Sequence, residues 1–89
     1  SLEQILNLLP IGEGKVNVTE AVLGPESPVI GKQLKDISLP ENSLIAVVIR
    51  DNEPIVPRGW NYLQEEDRVV LITIPENHGK VLRLLTGEL

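Results

Sequence analysis

Apart from one Trp and one Tyr, every large apolar side chain here is aliphatic: Phe, Met and Cys are absent from the 89 residues. A core must therefore be assembled from Val, Ile and Leu. β-Branched side chains are stiff and suit a pleated surface better than a helix. They concentrate in two runs, LIAVVIR at 44–50 and RVVLITI at 68–74. Each is continuously apolar, which predicts strands covered on both faces. At 42% hydrophobic the chain can bury a core, but its length allows one domain only.

Other segments follow from local rules. Residues 15–23 (KVNVTEAVL) alternate Val16, Val18, Glu20 and Val22 against Asn17, Thr19, Ala21 and Leu23, a strand pattern. Asp51-Asn52 suits a two-residue hairpin, because both residues tolerate left-handed backbone. The following EPIVP, with Pro at each end, belongs on a sheet edge. Residues 75–89 (PENHGKVLRLLTGEL) read as an amphipathic helix with Glu76 near its positive end, Lys80 and Arg83 toward its negative end, and Gly87 as C-terminal cap.

Two more helices are predicted. Ser1 and Gln4 form a capping box ahead of Leu2, Ile5, Leu6 and Leu9 at helical spacing, with Pro10 as the stop. Residues 1–10 are thus expected to be a connector helix from a preceding region, in a piece cut from a longer protein. Ser27-Pro28 supplies a second helix start, with Ile30, Leu34 and Ile37 on one face. The order α-β-α-β-β-β-α predicts an α+β domain with a small, largely antiparallel sheet and flanking helices.

The composition excludes several chemistries. A formal charge of −5, with the eight basic residues dispersed, does not fit nucleic acid. Without cysteine there is no disulfide, thiolate zinc site or thiol nucleophile. No apolar run approaches the roughly 20 residues of a membrane span. The single histidine, His78, has no acidic partner at a recognisable spacing, and reads as an exposed residue at a helix start. Glu65-Glu66-Asp67 reads as a solvated corner rather than a cation site. Gly12-x-Gly14-Lys15 follows a helical pattern and lacks a third glycine, so it is a link and not a phosphate loop. The chain is expected not to be an enzyme. Trp60 either caps the core or a dimer interface, or stacks a planar ligand with Tyr62.

The ordered segments resemble one family, the C-terminal regulatory domain of TrkA-type potassium-uptake proteins, also called the RCK C-terminal domain. The carrying residues are the strand from Val18 to Val22, Ser27-Pro28, Gly31-Lys32-x-Leu34-x-Asp36-Ile37, Leu39-Pro40 and the run from Ile45 to Arg50. They continue through Ile55-Val56-Pro57-Arg58-Gly59, Leu63-x-x-x-Asp67 and Val69 to Ile72. The likeness spans about Val16 to Ile74, and the regulatory domain is expected over 16–87. Where such domains usually carry Gly before the Asp, this chain has Glu66.

The resemblance implies regulation: a cytoplasmic module at the inner face of the membrane that follows a nucleotide-binding Rossmann domain, within a ring that gates a potassium channel or transporter. It implies a homodimer and no cofactor in this domain, NAD or ATP belonging to the separate Rossmann domain. In some such domains the cleft between copies binds a nucleotide or cyclic dinucleotide such as cyclic di-AMP. Here the corresponding stretch is ISLPENSLI, so Leu39, Pro40, Asn42, Ser43 and Leu44 are the implied ligand-binding residues. Ser38-Leu39-Pro40 offers no arginine to a phosphate. The alternative is a small-molecule sensor attached to another ion transporter.

Overall fold

The computed structural model describes residues 4–87. Its elements are β1 (Ile5–Ile11), β2 (Val16–Val22), a 3-10 turn (Leu34–Asp36), β3 (Ser43–Arg50), β4 (Glu53–Ile55), β5 (Arg68–Thr73) and α1 (Pro75–Thr86). The strands form one antiparallel sheet in the order β1-β2-β5-β3-β4. This is the expected α+β class. The two β-branched runs, β3 and β5, lie side by side, and β5 also bridges to β2. Asp51 and Asn52 both adopt left-handed φ, 52° and 65°, and so close the β3–β4 hairpin. Strand β4 is an edge, as its Pro54 requires.

The core forms between one face of the sheet and a cover made of α1 and residues 23–42. Along β2, Thr19, Ala21 and then Leu23 point inward, while the valines alternate to the opposite face. Val69 and Leu71 of β5 and Ile45 and Val48 of β3 complete the sheet side, and Val81 and Leu85 of α1 close over it. Gly87 takes φ 76° and its amide donates to Arg83 O at 2.9 Å, the expected cap. The Ser27 hydroxyl donates to Leu85 O, tying residues 23–42 to the end of α1.

Three expectations are corrected. The first helix is instead strand β1; Ser1 of its capping box lies outside the described residues. Gly12, Glu13 and Gly14 all carry positive φ and fold β1 back onto β2, from Ile11 opposite Val16 to Ile5 opposite Ala21. An eight-residue helix is marginal alone, whereas a ladder with β2 satisfies the same backbone groups through another strand. Pro10 is tolerated on this edge.

Residues 27–37 likewise form turns and a 3-10 turn rather than an α-helix. Gly31, at φ 81°, breaks the run, and its amide donates to Leu63 O at 2.8 Å. Leu63 returns the bond to Lys32 O at 3.0 Å, and Gln33 bridges to Tyr62. Bonds to the 59–63 segment thus replace helical ones. Third, β3 and β5 are not covered on both faces: Leu44 is 55% exposed and Ile72 is exposed beside it.

Candidate functional site: the open face of the sheet

The register aligns one aliphatic residue from each of four strands across the uncovered face. Leu9 of β1 lies opposite Val18 of β2, Val18 opposite Ile72 of β5, and Ile72 opposite Leu44 of β3. Leu9 is 60% exposed. Ile11 and Val16 pair on the adjacent row. Toward the other end of the face the row turns polar, where Asn7 Nδ2 donates to Glu20 Oε1 at 2.8 Å and Arg68 Nη1 meets Glu20 Oε2 at 3.4 Å. The result is an apolar field with a charged margin on one side, the composition of a contact surface.

At the β3 end of this face lies a groove of about 340 Å³, lined by Val16, Asn42, Ser43, Leu44, Ile72, Thr73 and Ile74. Its volume is at the lower bound for small-ligand clefts. The turn that forms its rim is held from two sides: Ile74 N donates to Asn42 O at 3.3 Å, and Asn77 Nδ2 donates to Glu41 O at 2.7 Å. Asn42 adopts φ 60°, a conformation asparagine accepts more readily than most residues. Ser43 and Thr73 are cross-strand partners whose hydroxyl oxygens are buried without a hydrogen-bond partner. Such groups are uncommon in folded proteins.

Three of the five implied ligand residues, Asn42, Ser43 and Leu44, meet at this groove. The other two do not: Leu39 packs against the core and Pro40 is half-buried behind it. Val16, Ile72, Thr73 and Ile74 were absent from the sequence-based set. They join Asn42 to Leu44 only through the β2–β5–β3 register, for which no local pattern exists.

The remaining candidates resolve differently. His78 is half-buried rather than exposed, with Nε2 3.1 Å from Thr19 Oγ1. Trp60 is 67% exposed and does not cap the core; Tyr62 is exposed near it. The acidic corner is not the fully solvated one expected: Glu65 and Glu66 are exposed, but Asp67 is buried and engaged by Arg50, whose Nε and Nη2 donate to Oδ1 and Oδ2 at 2.9 and 2.8 Å. That hydrogen bond with Asp67 raises the Arg50 guanidinium above the ordinary arginine range, against the opposing effect of burial and with help from the charges of Asp67 and Asp51. Among the described residues no group of His, Asp and Glu is placed to hold a metal ion, and no helix is long and apolar enough to cross a membrane. Gly12 to Lys15 make the β1–β2 turn, with Gly14 N donating to Ile11 O at 3.2 Å.

Comparison with known proteins agrees with this architecture. Residues 18–86 match the model of the TrkA-C domain. The Trk system potassium uptake protein trkA homolog 1 of Methanosarcina mazei is 34% identical over 65 residues, which is 73% of this chain and 16% of that protein. The TrkA of Mycobacterium tuberculosis is 24% identical over 85 residues, 96% of this chain and 39% of that protein. The chain therefore spans well under half the length of these relatives. Among solved structures, an RCK domain with cda superposes with a TM-score of 0.65 at 25% identity, covering 76% of this chain and 96% of that one.

Proposed function

Because the chain belongs to the TrkA-C domain family, we propose that it is a non-catalytic regulatory module of a Trk-type potassium-uptake assembly, acting as paired copies at the cytosolic face of the membrane. The observation that carries this reading is the open sheet face. The row Leu9–Val18–Ile72–Leu44 is aliphatic across four strands and uncovered, the kind of contiguous apolar surface that marks an interaction site. A change in a preceding nucleotide-binding domain, or a ligand, acts by altering how such faces pack, and the packed modules pass that to the gate. The test is potassium uptake by the full-length protein carrying Leu44→Asp or Ile72→Asp, with circular dichroism of the isolated module as the folding control. Loss of regulated uptake in a folded module is expected; unchanged regulation overturns the reading.

A second reading, a small-molecule sensor, is favoured by one observation: the groove joins apolar walls from Leu44 and Ile72 to the turn residue Asn42. The ligand class is a nucleotide or cyclic dinucleotide whose base stacks on the aliphatic wall. No Lys or Arg lines the groove, so its phosphates would face solvent or a second copy. Thermal unfolding against cyclic dinucleotides, ATP, NAD, potassium and calcium tests this. A ligand at 100 times its Kd adds about 2.7 kcal/mol, and the shift should vanish in Asn42→Ala/Ser43→Ala. A flat panel removes the sensor reading and leaves the packing module.

A further inference from the structure

Both aromatic residues of the chain stand outside the core on one turn, beside Arg58. Val56 and Trp60 are the most exposed large apolar side chains among the described residues, at 73% and 67%, and Tyr62 is exposed as well. Residues 31–35 run alongside this turn, on the cover of the domain rather than the open sheet face. Lys35 backs directly onto it, since a Cβ on Gly59 would lie 3.3 Å from Lys35 Cβ. Lys32, Lys35 and Arg58 are all exposed. None of the three is ion-paired among the described residues, where the pairs are Arg50–Asp67 and Arg68–Glu20. No acidic residue occurs within 27–35 or 54–64, in a chain that has 13 of them, and Asp36 borders the patch.

The backbone of this turn is satisfied from within. Every carbonyl from Arg58 to Leu63 accepts a hydrogen bond from the chain itself: in order, from Asn61 N, Lys35 N, Gln33 Nε2, Leu34 N, Arg50 Nη2 and Gly31 N, at 2.8–3.0 Å. An extended peptide therefore finds no free carbonyl there to pair with. A lipid interface penalises unsatisfied backbone groups, and these carbonyls present none. The turn is also held in place before contact, so little ordering entropy opposes binding. Trp and Tyr settle at the level of lipid headgroups, and a nearby Lys or Arg is drawn to anionic lipid. We propose that this surface docks on an anionic lipid bilayer, with Trp60 and Tyr62 seated among the headgroups and Lys32, Lys35 and Arg58 facing the lipid phosphates. The proposal goes beyond the packing module and holds whether or not copies pair. The field of such a surface decays within about 8 Å at physiological ionic strength, and the domain extends at least 25 Å along each principal axis. Contact through this side leaves the acidic remainder of a −5 chain largely beyond that field. Contact through an acidic side is repelled, so one orientation of the module is selected.

Trp60 is the only Trp, so its emission reports contact directly. The 89-residue chain is mixed with vesicles of phosphatidylglycerol and phosphatidylcholine, with vesicles of phosphatidylcholine alone, and with poly-glutamate. Emission is read at low and high salt, and co-sedimentation is read with the vesicles. The expected result is a blue shift and co-sedimentation with the phosphatidylglycerol vesicles, weakened by salt. Lys35→Gln/Arg58→Gln should weaken that binding at least tenfold. Both side chains are exposed, so folding is not threatened, which circular dichroism checks. No binding to the phosphatidylglycerol vesicles, binding no tighter than to phosphatidylcholine, or binding that the double variant leaves unchanged overturns the proposal. A blue shift with poly-glutamate at equal or higher affinity overturns it too, and assigns the surface to an acidic protein segment. The packing module is tested separately, by uptake in the Leu44 and Ile72 variants, and no outcome with vesicles bears on it.

Discussion

Arg50 and Asp67 form a bidentate ion pair that pins the β3–β4 hairpin to the start of β5. Both Asp67 oxygens accept from Arg50, and Oδ2 also takes the amide of Gln64 at 2.8 Å. The second guanidinium nitrogen reaches Tyr62 O at 3.0 Å. The carboxylate is 1% exposed, whereas the Arg50 side chain keeps 28% of its surface. That inequality predicts unequal mutants. Arg50→Met leaves a buried, unpaired carboxylate and should cost about 3 kcal/mol, as breaking a buried pair does. Asp67→Asn leaves a guanidinium that can still reach water, and should cost about half as much. Urea unfolding with an unchanged m-value checks both; equal losses would contradict the asymmetry.

The same pair sets a pH expectation. The folded state holds the Arg50 pKa above its ordinary value. A raised pKa contributes stability that is fully present below the unfolded value and is lost only as pH climbs through the folded one. For an arginine that window lies beyond the neutral and mildly alkaline range. The Arg50→Met penalty should therefore be constant from pH 7 to about pH 10, measured as the difference in urea midpoint.

Glu66 occupies left-handed backbone at φ 71°, in the turn before Asp67. A side chain there costs about 1–2 kcal/mol, and glycine forfeits about 0.5–1 through chain entropy. Glu66→Gly should therefore raise stability by roughly 0.5 kcal/mol, with a small rise in Tm. A drop in Tm would mean that the Glu66 side chain makes a favourable interaction.

Two glycines with similar φ should respond differently to alanine. At Gly12, φ 59°, an added Cβ meets nothing within 4 Å, so only the backbone penalty of about 1 kcal/mol applies. At Gly87, φ 76°, the Cβ would sit 2.7 Å from Glu26 O and 3.2 Å from Pro28 Cδ. Gly87→Ala should cost at least about 2 kcal/mol, seen as the larger fall in Tm.

Trp60 stands outside the core, its carbonyl accepting from Gln33 Nε2 at 3.0 Å while the indole is exposed. Trp60→Ala should change stability by less than about 0.5 kcal/mol. Its fluorescence in the native chain should be that of a hydrated indole. A blue-shifted native spectrum would place the ring in a contact between copies.

What the sequence determined alone was local. Asp51-Asn52 closes its hairpin because both accept left-handed backbone, Gly87 stops α1 for the same reason, and β-branched runs become strands wherever they fall. The groove's rim, Asn42 to Leu44, was legible because it is contiguous. Tertiary structure decided which face of each strand is inside. On β2 the buried stripe is Thr19, Ala21 and Leu23, and the valines face outward, a choice the alternation left open because a period of two has no preferred side. Tertiary structure also turned Ile5 to Ile11 from helical spacing into a strand, and set Ile72 between Val18 and Leu44. Those outcomes depend on ladders between residues far apart in the chain, and backbone bonds to a distant strand outweigh the weak preferences of neighbours.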